Sequence, residues 1–461
     1  MKSVSLHFVK KLMKKLILIW PIIFISHNFV YSQNKVVGYY PDWLEPTLPP
    51  QNIKFENLTH IIHAFAWPES NGNISMYSGM LNPNLNNAVH NAGKKILLAF
   101  GGWGQSAGFA PMTADSLLRV NFINNLIELI SQNNYDGIDL DWEFPENITQ
   151  GRNLTKLVRE LRERFNVENP DWLITMAISA GSWNGQYFEY SLLSNYLDWF
   201  SMMGYDFHGS WTTHAGHNAP LYQPPSNCFD GSSHNGINYL TINRQIPKEK
   251  LLLGLPFYGK EFTAAGIYQT QSGVTDLTYT SIVPRINNSS WEYYWDDVSK
   301  VPYLQNTAHT KVVTFEDTVS IRVKCEYALD HQLSGIMIWA LGQDIVGSSQ
   351  PLLEVIGREM GLVTFIETST EQIVNGFYLF DNYPNPFNPS TKIEYLIPES
   401  SLVTIRVYDV LGREAATLVN EIKPAGKHQI KFDASNISSG LYTYVLTSGN
   451  FFQSKKMLLL K

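Results

Sequence analysis

From Lys35 to about Gly361 the chain alternates short apolar runs, rich in β-branched and aromatic residues, with longer stretches of helical character. Eight runs recur in order: Val36–Tyr40, Leu58–Ala66, Lys95–Phe100, Gly137–Trp142, Leu173–Ile178, Trp199–Met203, Leu251–Pro256 and Gly335–Trp339. Strands separated by helices are the pattern of βα units, in which helices cover a parallel sheet. Eight units in roughly 300 residues match an α/β fold, the (β/α)8 TIM barrel.

The interval between the seventh and eighth runs, from about Lys260 to Asp330, is longer than a connecting helix requires. It holds strand-like runs and the aromatics Tyr279, Trp291, Tyr293, Tyr294 and Trp295, and is predicted to be a small inserted α+β subdomain (260–330) forming one wall of a cleft. Past Gly361 the alternation stops. The polar stretch Glu367 to Gln372 predicts a linker over 363–376. Beyond it, Thr391–Leu396, Leu402–Tyr408, Gln429–Phe432 and Leu441–Leu446 alternate apolar and polar residues, with turn signals at Leu411-Gly412, Ala425-Gly426 and Ser439-Gly440. They predict a C-terminal antiparallel β-sandwich over 377–461.

At the N-terminus, Lys10, Lys11, Lys14 and Lys15 precede an apolar run from Leu16 to Ile25, and small Ser32 closes the segment. This is the pattern of an export signal over 1–32, too short for a spanning helix, and no later segment predicts a stable membrane span. The barrel domain is then expected over 33–362. A formal net charge of -7 offers no basic surface to nucleic acid or an anionic membrane and favours a neutral substrate. With 13% aromatic and 16% charged residues, aromatic faces are available for stacking on sugar rings, although more than half are expected to fill the core. The two cysteines, Cys228 and Cys325, make neither a disulfide framework nor a zinc site. Export permits their pairing, and two buried thiols are the alternative.

The segment Asp136-Gly137-Ile138-Asp139-Leu140-Asp141-Trp142-Glu143 carries the chemistry. On a strand, Asp139, Asp141 and Glu143 point one way and Ile138, Leu140 and Trp142 the other. In a parallel barrel the apolar set packs on the outer helices, while the acidic set lines the interior near the C-terminal mouth. Carboxylates spaced about 6–7 Å along a strand cannot all ionise cheaply in a poorly solvated site, so one holds a proton near neutral pH. General-acid cleavage of a glycosidic bond needs such a carboxyl. A solvated acidic strand end would not alternate with Ile, Leu and Trp, and no His or further acid completes a metal-ligand set. No metal or cofactor is expected.

This segment resembles the Asp-x-x-Asp-x-Asp-x-Glu signature of glycoside hydrolase family 18, the chitinases. The likeness extends to Gly38-Tyr39-Tyr40-Pro41-Asp42-Trp43, Gly101-Gly102-Trp103, Met203-Gly204-Tyr205-Asp206-Phe207-His208-Gly209-Ser210-Trp211, Gly254-Leu255-Pro256-Phe257-Tyr258-Gly259 and Met337-Ile338-Trp339, in the family's order. It implies substrate-assisted retention on chitin or chito-oligosaccharides, an exception to the two-carboxylate scheme. Glu143 would be acid and then base, Asp141 would accept from the acetamido N–H, and Asp139 would share a proton with Asp141. Tyr205 would donate to the acetamido oxygen, and Trp339 would floor the cleavage site. Trp43, Trp103 and Trp211 are expected to stack along the cleft, with Tyr39, Phe65, Gly101, Gly102, Phe144, Met203, Asp206 and Tyr258 as further substrate contacts.

Two positions depart from the pattern. Ala99 stands where many members carry Ser and others Ala, so a hydroxyl near Asp139 is missing. Lys260 stands where Arg is common, which removes a bidentate donor. Same-chemistry alternatives are an N-glycan chitobiose core or peptidoglycan as substrate; a non-catalytic lectin on this barrel would usually lack the terminal Glu. The tail, with Tyr383-Pro384-Asn385-Pro386-Phe387-Asn388-Pro389, Val407-Tyr408-Asp409-Val410-Leu411-Gly412-Arg413 and Gly440-Leu441-Tyr442, resembles the sorting domain of type IX secretion cargo. That implies the type IX machinery as partner and export through the periplasm to the medium or cell surface. A carbohydrate-binding sandwich would call for exposed Trp, and no Trp follows Trp339.

Overall fold

The computed structural model describes residues 34–223, 231–286, 288–363 and 378–460, the last without 381, 383, 386, 411 and 450. The expected export segment, Cys228 and all but the first residue of the expected linker lie outside the described residues. These fall into two compact units, one on each side of residue 364.

In the first unit the strands are β1 (Lys35–Pro41), β2 (His60–Pro68), β3 (Ile74–Met76), β4 (Lys95–Gly101), β5 (Gly137–Asp141), β6 (Leu173–Ser179), β7 (Trp199–Met203), β8 (Leu251–Pro256), β9 (Tyr258–Ala264), β10 (Gln271–Thr278), β11 (Trp291–Asp296), β12 (Val301–Asn306), β13 (Lys311–Thr314) and β14 (Gly335–Trp339). Strands β1, β2, β4, β5, β6, β7, β8 and β14 pair in that order, all parallel, and β14 returns to β1. The sheet is a closed (β/α)8 barrel, and β3 is an antiparallel appendage on β2.

Alternation along each strand divides the core. Val36 and Tyr40 of β1, Ile138 and Leu140 of β5, and Ile336 and Ile338 of β14 join the large apolar layer between sheet and helices. Val37, Tyr39, Ile62, Leu97, Ala99, Trp199, Leu252 and Met337 fill the barrel interior. Trp142, one residue beyond β5, stacks on Phe109 at 5.2 Å and belongs to the outer layer, so the acidic side chains of this segment face the interior.

Between β8 and β14 the chain builds an antiparallel five-stranded sheet in the order β10-β9-β13-β12-β11, with the Tyr279–Ile286 helix against β9, β10 and β11. The Thr318–Asp330 helix, assigned to the insert on sequence, is instead a barrel helix, packed on β8, β14 and the Pro351–Glu359 helix. Asp317 caps it by accepting from the Val319 and Ser320 amides, and Ile321, Cys325 and Ala328 join the core of the barrel. Gap length alone could not separate this helix from the insert before it.

The second unit holds β15 (Tyr378–Leu379), β16 (Ser390–Ile397), β17 (Ser401–Tyr408), β18 (Glu414–Lys423), β19 (Gly426–Asp433), β20 (Gly440–Ser448) and β21 (Phe451–Leu459). They form antiparallel sheets ordered β15-β16-β19 and β18-β17-β20-β21. Ile393 and Tyr395 of the first and Val403, Ile405, Tyr444 and Met457 of the second share one apolar core, the arrangement of a two-sheet sandwich.

Candidate active site

The C-terminal end of β5 is fixed by contacts from the loop that follows β4. The Gly102 amide donates to the Asp141 carbonyl at 2.8 Å, and the Glu143 amide donates to Ser106 Oγ at 2.9 Å. Gly101 has φ +111°, and a Cβ there would lie 2.1 Å from the Asp141 carbonyl oxygen. Only glycine permits that approach. A Cβ on Gly102, at φ +86°, would lie 2.9 Å from the Phe65 ring. These two glycines therefore shape the site with their backbone.

Three carboxyls climb from the barrel interior toward its mouth. Asp139 is fully buried; Tyr39 donates to its Oδ2 at 2.6 Å and Thr175 donates to its Oδ1. Burial pushes its pKa up to about 6 against the opposing effect of those two donors. Asp141 is 5% exposed, and among the described residues its Oδ1 has no hydrogen-bond partner. Burial first, then the charges of Glu143 and Asp139, raise it well above the usual carboxylate range. Glu143 is half-buried, and burial together with the nearby Asp206 charge pushes it up to about 7. Such a row holds protons where an isolated carboxylate would not.

Above the row lies a cavity of about 320 Å³. Asp141 and Glu143 line it, with Tyr39, Phe65, Trp339, Tyr205, Met203 and Asp206 around them. Trp339, ending β14, stacks on Phe65 at 5.7 Å and meets Tyr39 edge-on at 5.6 Å. Trp43 and Tyr77 continue the aromatic wall, 6.2 Å apart and edge-on. Trp103 stands at the rim, 82% exposed. Peptides Ala64–Phe65, Glu143–Phe144 and Trp339–Ala340 are cis.

The Tyr205 hydroxyl reaches Met337 Sδ at 3.9 Å, and its ring meets Tyr258 edge-on at 6.0 Å. Burial, followed by the charges of Asp141, Asp206 and Glu143, raises the phenol and keeps it a proton-bearing donor. Asp206, with φ +60°, accepts from the Tyr258 hydroxyl at 2.6 Å and from Lys260 Nζ at 2.9 Å. Lys260 also reaches Asp276 at 2.8 Å and lies 5.6 Å from the Trp211 ring centre.

Not every catalytic or substrate-contact residue expected from the sequence lines this cavity. Asp139 and Tyr258 stand one layer behind it, and Gly101 and Gly102 act as described. Phe144 packs against the outer apolar core. Trp211 is 63% exposed and rests beside Gly209 and Lys260. Conversely, Tyr77, Gln105 and Ala177 are wall residues that sequence reasoning missed, along with Ser106 and Thr175 behind the wall. Thr175 carried a usable signal, because alignment of neighbouring strands sets it opposite Asp139.

A carboxyl that holds its proton near pH 7, faces an aromatic-walled cavity and is backed by two further acids can protonate a leaving oxygen and later take a proton from water. Among the described residues, no group of three or more His, Cys, Asp or Glu side chains could hold a metal ion, and no helix is long and apolar enough to cross a membrane.

Residues 35–344 match the model of the glycosyl hydrolases family 18, and residues 381–460 match that of the secretion system C-terminal sorting domain. Chitinase A1 of Niallia circulans is 28% identical over 337 residues, covering 66% of this chain and 47% of that protein. Probable chitinase 2 of Drosophila melanogaster is 33% identical over 279 residues, covering 54% and 56%. The chain spans about half the length of these two relatives. The crystal structure of the Ostrinia furnacalis Group IV chitinase in complex with allosamidin is similar with a TM-score of 0.66 at 27% identity, covering 71% of this chain and 99% of that one.

Proposed function

Since the chain belongs to the glycosyl hydrolases family 18 and ends in a secretion system sorting domain, we propose that it is a secreted chitinase that hydrolyses β-1,4-linked N-acetylglucosamine polymers. The observation that carries this reading is Asp141. It is buried beside two other acids, and among the described residues no donor reaches its Oδ1. A buried acceptor left unpaired is costly, and the acetamido N–H of an N-acetylated sugar in the cavity supplies the missing donor.

The chemistry follows from that docking. Glu143, protonated below about pH 7, gives its proton to the bridging oxygen. The acetamido oxygen of the same sugar attacks the anomeric carbon, giving an oxazolinium ion and breaking the bond to the leaving chain. Asp141 holds the acetamido nitrogen, and the negative charge it shares with Asp139 offsets the positive charge that develops there. Tyr205 donates to the acetamido oxygen and keeps it in line. Glu143, now a carboxylate, takes a proton from the water that opens the ring, so configuration is retained. Trp339 floors the site, and Trp103 and Trp43 extend it along the polymer. The sorting domain supports recognition by the type IX machinery, with passage through the periplasm to the medium or cell surface.

Release of chitobiose from colloidal chitin tests the reading. Glu143→Gln should lower it by about 10²–10⁴-fold, the usual worth of a general acid, and equal release by both proteins overturns the assignment. A parallel digestion of chitin, an N-glycosylated protein and peptidoglycan fixes the substrate. Activity confined to the glycoprotein overturns the chitinase label and leaves the mechanism standing.

A further inference from the structure

Asp139 is flanked by two strands, and the residues opposite it differ in one atom that matters. On β4 it faces Ala99, and on β6 it faces Thr175. The β4 side offers a methyl, the departure noted on sequence. The β6 side offers a hydroxyl. Thr175 is fully buried, and its Oγ1 donates to Asp139 Oδ1, while the alternative acceptor, the Ile138 carbonyl, is 3.4 Å away. Tyr39 from β1 occupies the other carboxylate oxygen at 2.6 Å.

We infer that Thr175 is the positioning residue that holds Asp139 as an anion, supplying from β6 the hydroxyl that position 99 lacks on β4, and that it thereby leaves the proton shared by the acidic pair on Asp141. Two donors on the two oxygens of one buried carboxyl favour its charged form. A proton on Asp139 would displace one of them, leaving Thr175 only the long contact to the Ile138 carbonyl at 3.4 Å. Asp141, with an unpartnered oxygen at the cavity, has room for the proton. The other groups around Asp139 reinforce this placement. Tyr39 is buried and raised well above its ordinary value, so it stays a donor. Tyr205, after β7, is raised likewise, and Asp141 and Glu143 lie on the same segment. Met337 of β14 carries no charge.

The inference rests on the chitinase reading only for its kinetic test. Thr175→Val exchanges the hydroxyl for a methyl of similar size. Losing a donor to the anion raises the proton affinity of Asp139, so the pair takes up its second proton and loses its negative charge at a higher pH. The acid limb of kcat/KM should then rise by roughly one pH unit and kcat at pH 6 should fall roughly tenfold, with KM changed less than about twofold. Thr175→Ser should keep the wild-type profile. Ala99→Ser added to Thr175→Val should return the limb toward wild type by restoring a hydroxyl from β4.

Infrared difference titration reads the same proton without turnover. The protonated-carboxyl band of Asp139, assigned by its loss in Asp139→Asn, should persist to higher pH in Thr175→Val than in wild type. Thr175→Ala serves equally if valine crowds the barrel. An unshifted band in the folded Val or Ala variant overturns the inference, as does a shifted band in Thr175→Ser. A protein that cleaves no chitin but shows the shift refutes the proposed function and leaves this inference intact.

Discussion

Lys260 Nζ lies 2.9 Å from Asp206 Oδ1 and 2.8 Å from Asp276 Oδ1, so one buried ammonium on β9 ties the residue whose charge bears on Glu143 to the neighbouring strand β10. An arginine would offer a planar fork here; the lysine instead makes two single contacts, one to each acid. Its positive charge offsets that of Asp206, which raises the pKa of Glu143. Lys260→Met removes the offset. The basic limb of the pH–rate profile should therefore move upward by roughly half a pH unit, the scale of a screened charge interaction. Lys260→Arg should move it far less. A basic limb unchanged in Lys260→Met would show that Asp206 is neutralised from elsewhere.

Glu143 and Asp139 set the shape of the pH profile. Glu143 must carry its proton, which it loses above about 7. The Asp139–Asp141 pair must carry a negative charge, which is lost as Asp139 protonates below about 6. Activity should rise to a maximum between these values and fall on both sides, with each limb a macroscopic property of the coupled row. Initial rates on a soluble chito-oligosaccharide at constant ionic strength measure it. A plateau extending beyond pH 8 would remove Glu143 from the role of acid.

The barrel was legible because its strands must be apolar on the helix side, and a run such as Ile336-Met337-Ile338 has few other uses. The acidic row was legible for the complementary reason. Charge alternating with Ile138, Leu140 and Trp142 can sit only on a strand with one polar interior face. The remainder depends on which strands lie side by side. Thr175 reads as an ordinary β-branched residue until β6 is set against β5, and Tyr77 reaches the cavity only because the short β3 folds back on β2. Lys260 looked like a lost arginine, and its two acidic partners come from residues 54 positions and 16 positions away in sequence. Where the insert ends could not be read from gap length, since the Thr318–Asp330 helix has the composition of either neighbour.

The buried acids should cost stability where they serve catalysis. Asp141 is raised well above its ordinary 3.8 by burial and by Glu143 and Asp139. The native state therefore holds a proton that the unfolded chain releases, and stability falls as pH rises from the unfolded value toward the folded one. Asp141→Asn removes this dependence. Its melting temperature should exceed that of wild type by about 2–4 °C at pH 7, roughly 1 kcal/mol for a domain of this size, and the gain should shrink as pH is lowered toward 4. A gain that is the same at both pH values would assign the effect to packing.

Exposure separates the tryptophan expected along the cleft from the one expected at the cleavage site. Trp103 is 82% exposed at the rim, and removing it takes nothing from the core. Trp103→Ala should leave the melting temperature unchanged, within about 0.5 kcal/mol of stability, and should raise KM for long chito-oligosaccharides up to roughly tenfold, the worth of one aromatic stacking contact. Trp339 packs on Phe65 and Tyr39, both of the barrel interior. Trp339→Ala should cost on the order of 3 kcal/mol in stability, as a large aromatic lost from a packed site does, and should lower kcat because Tyr39 loses the ring that seats its hydroxyl on Asp139. Calorimetry paired with kinetics on short and long oligosaccharides distinguishes the two. If Trp103→Ala lowered kcat on short substrates while leaving KM on long ones unchanged, Trp103 would belong to the cleavage site and not to the extended cleft.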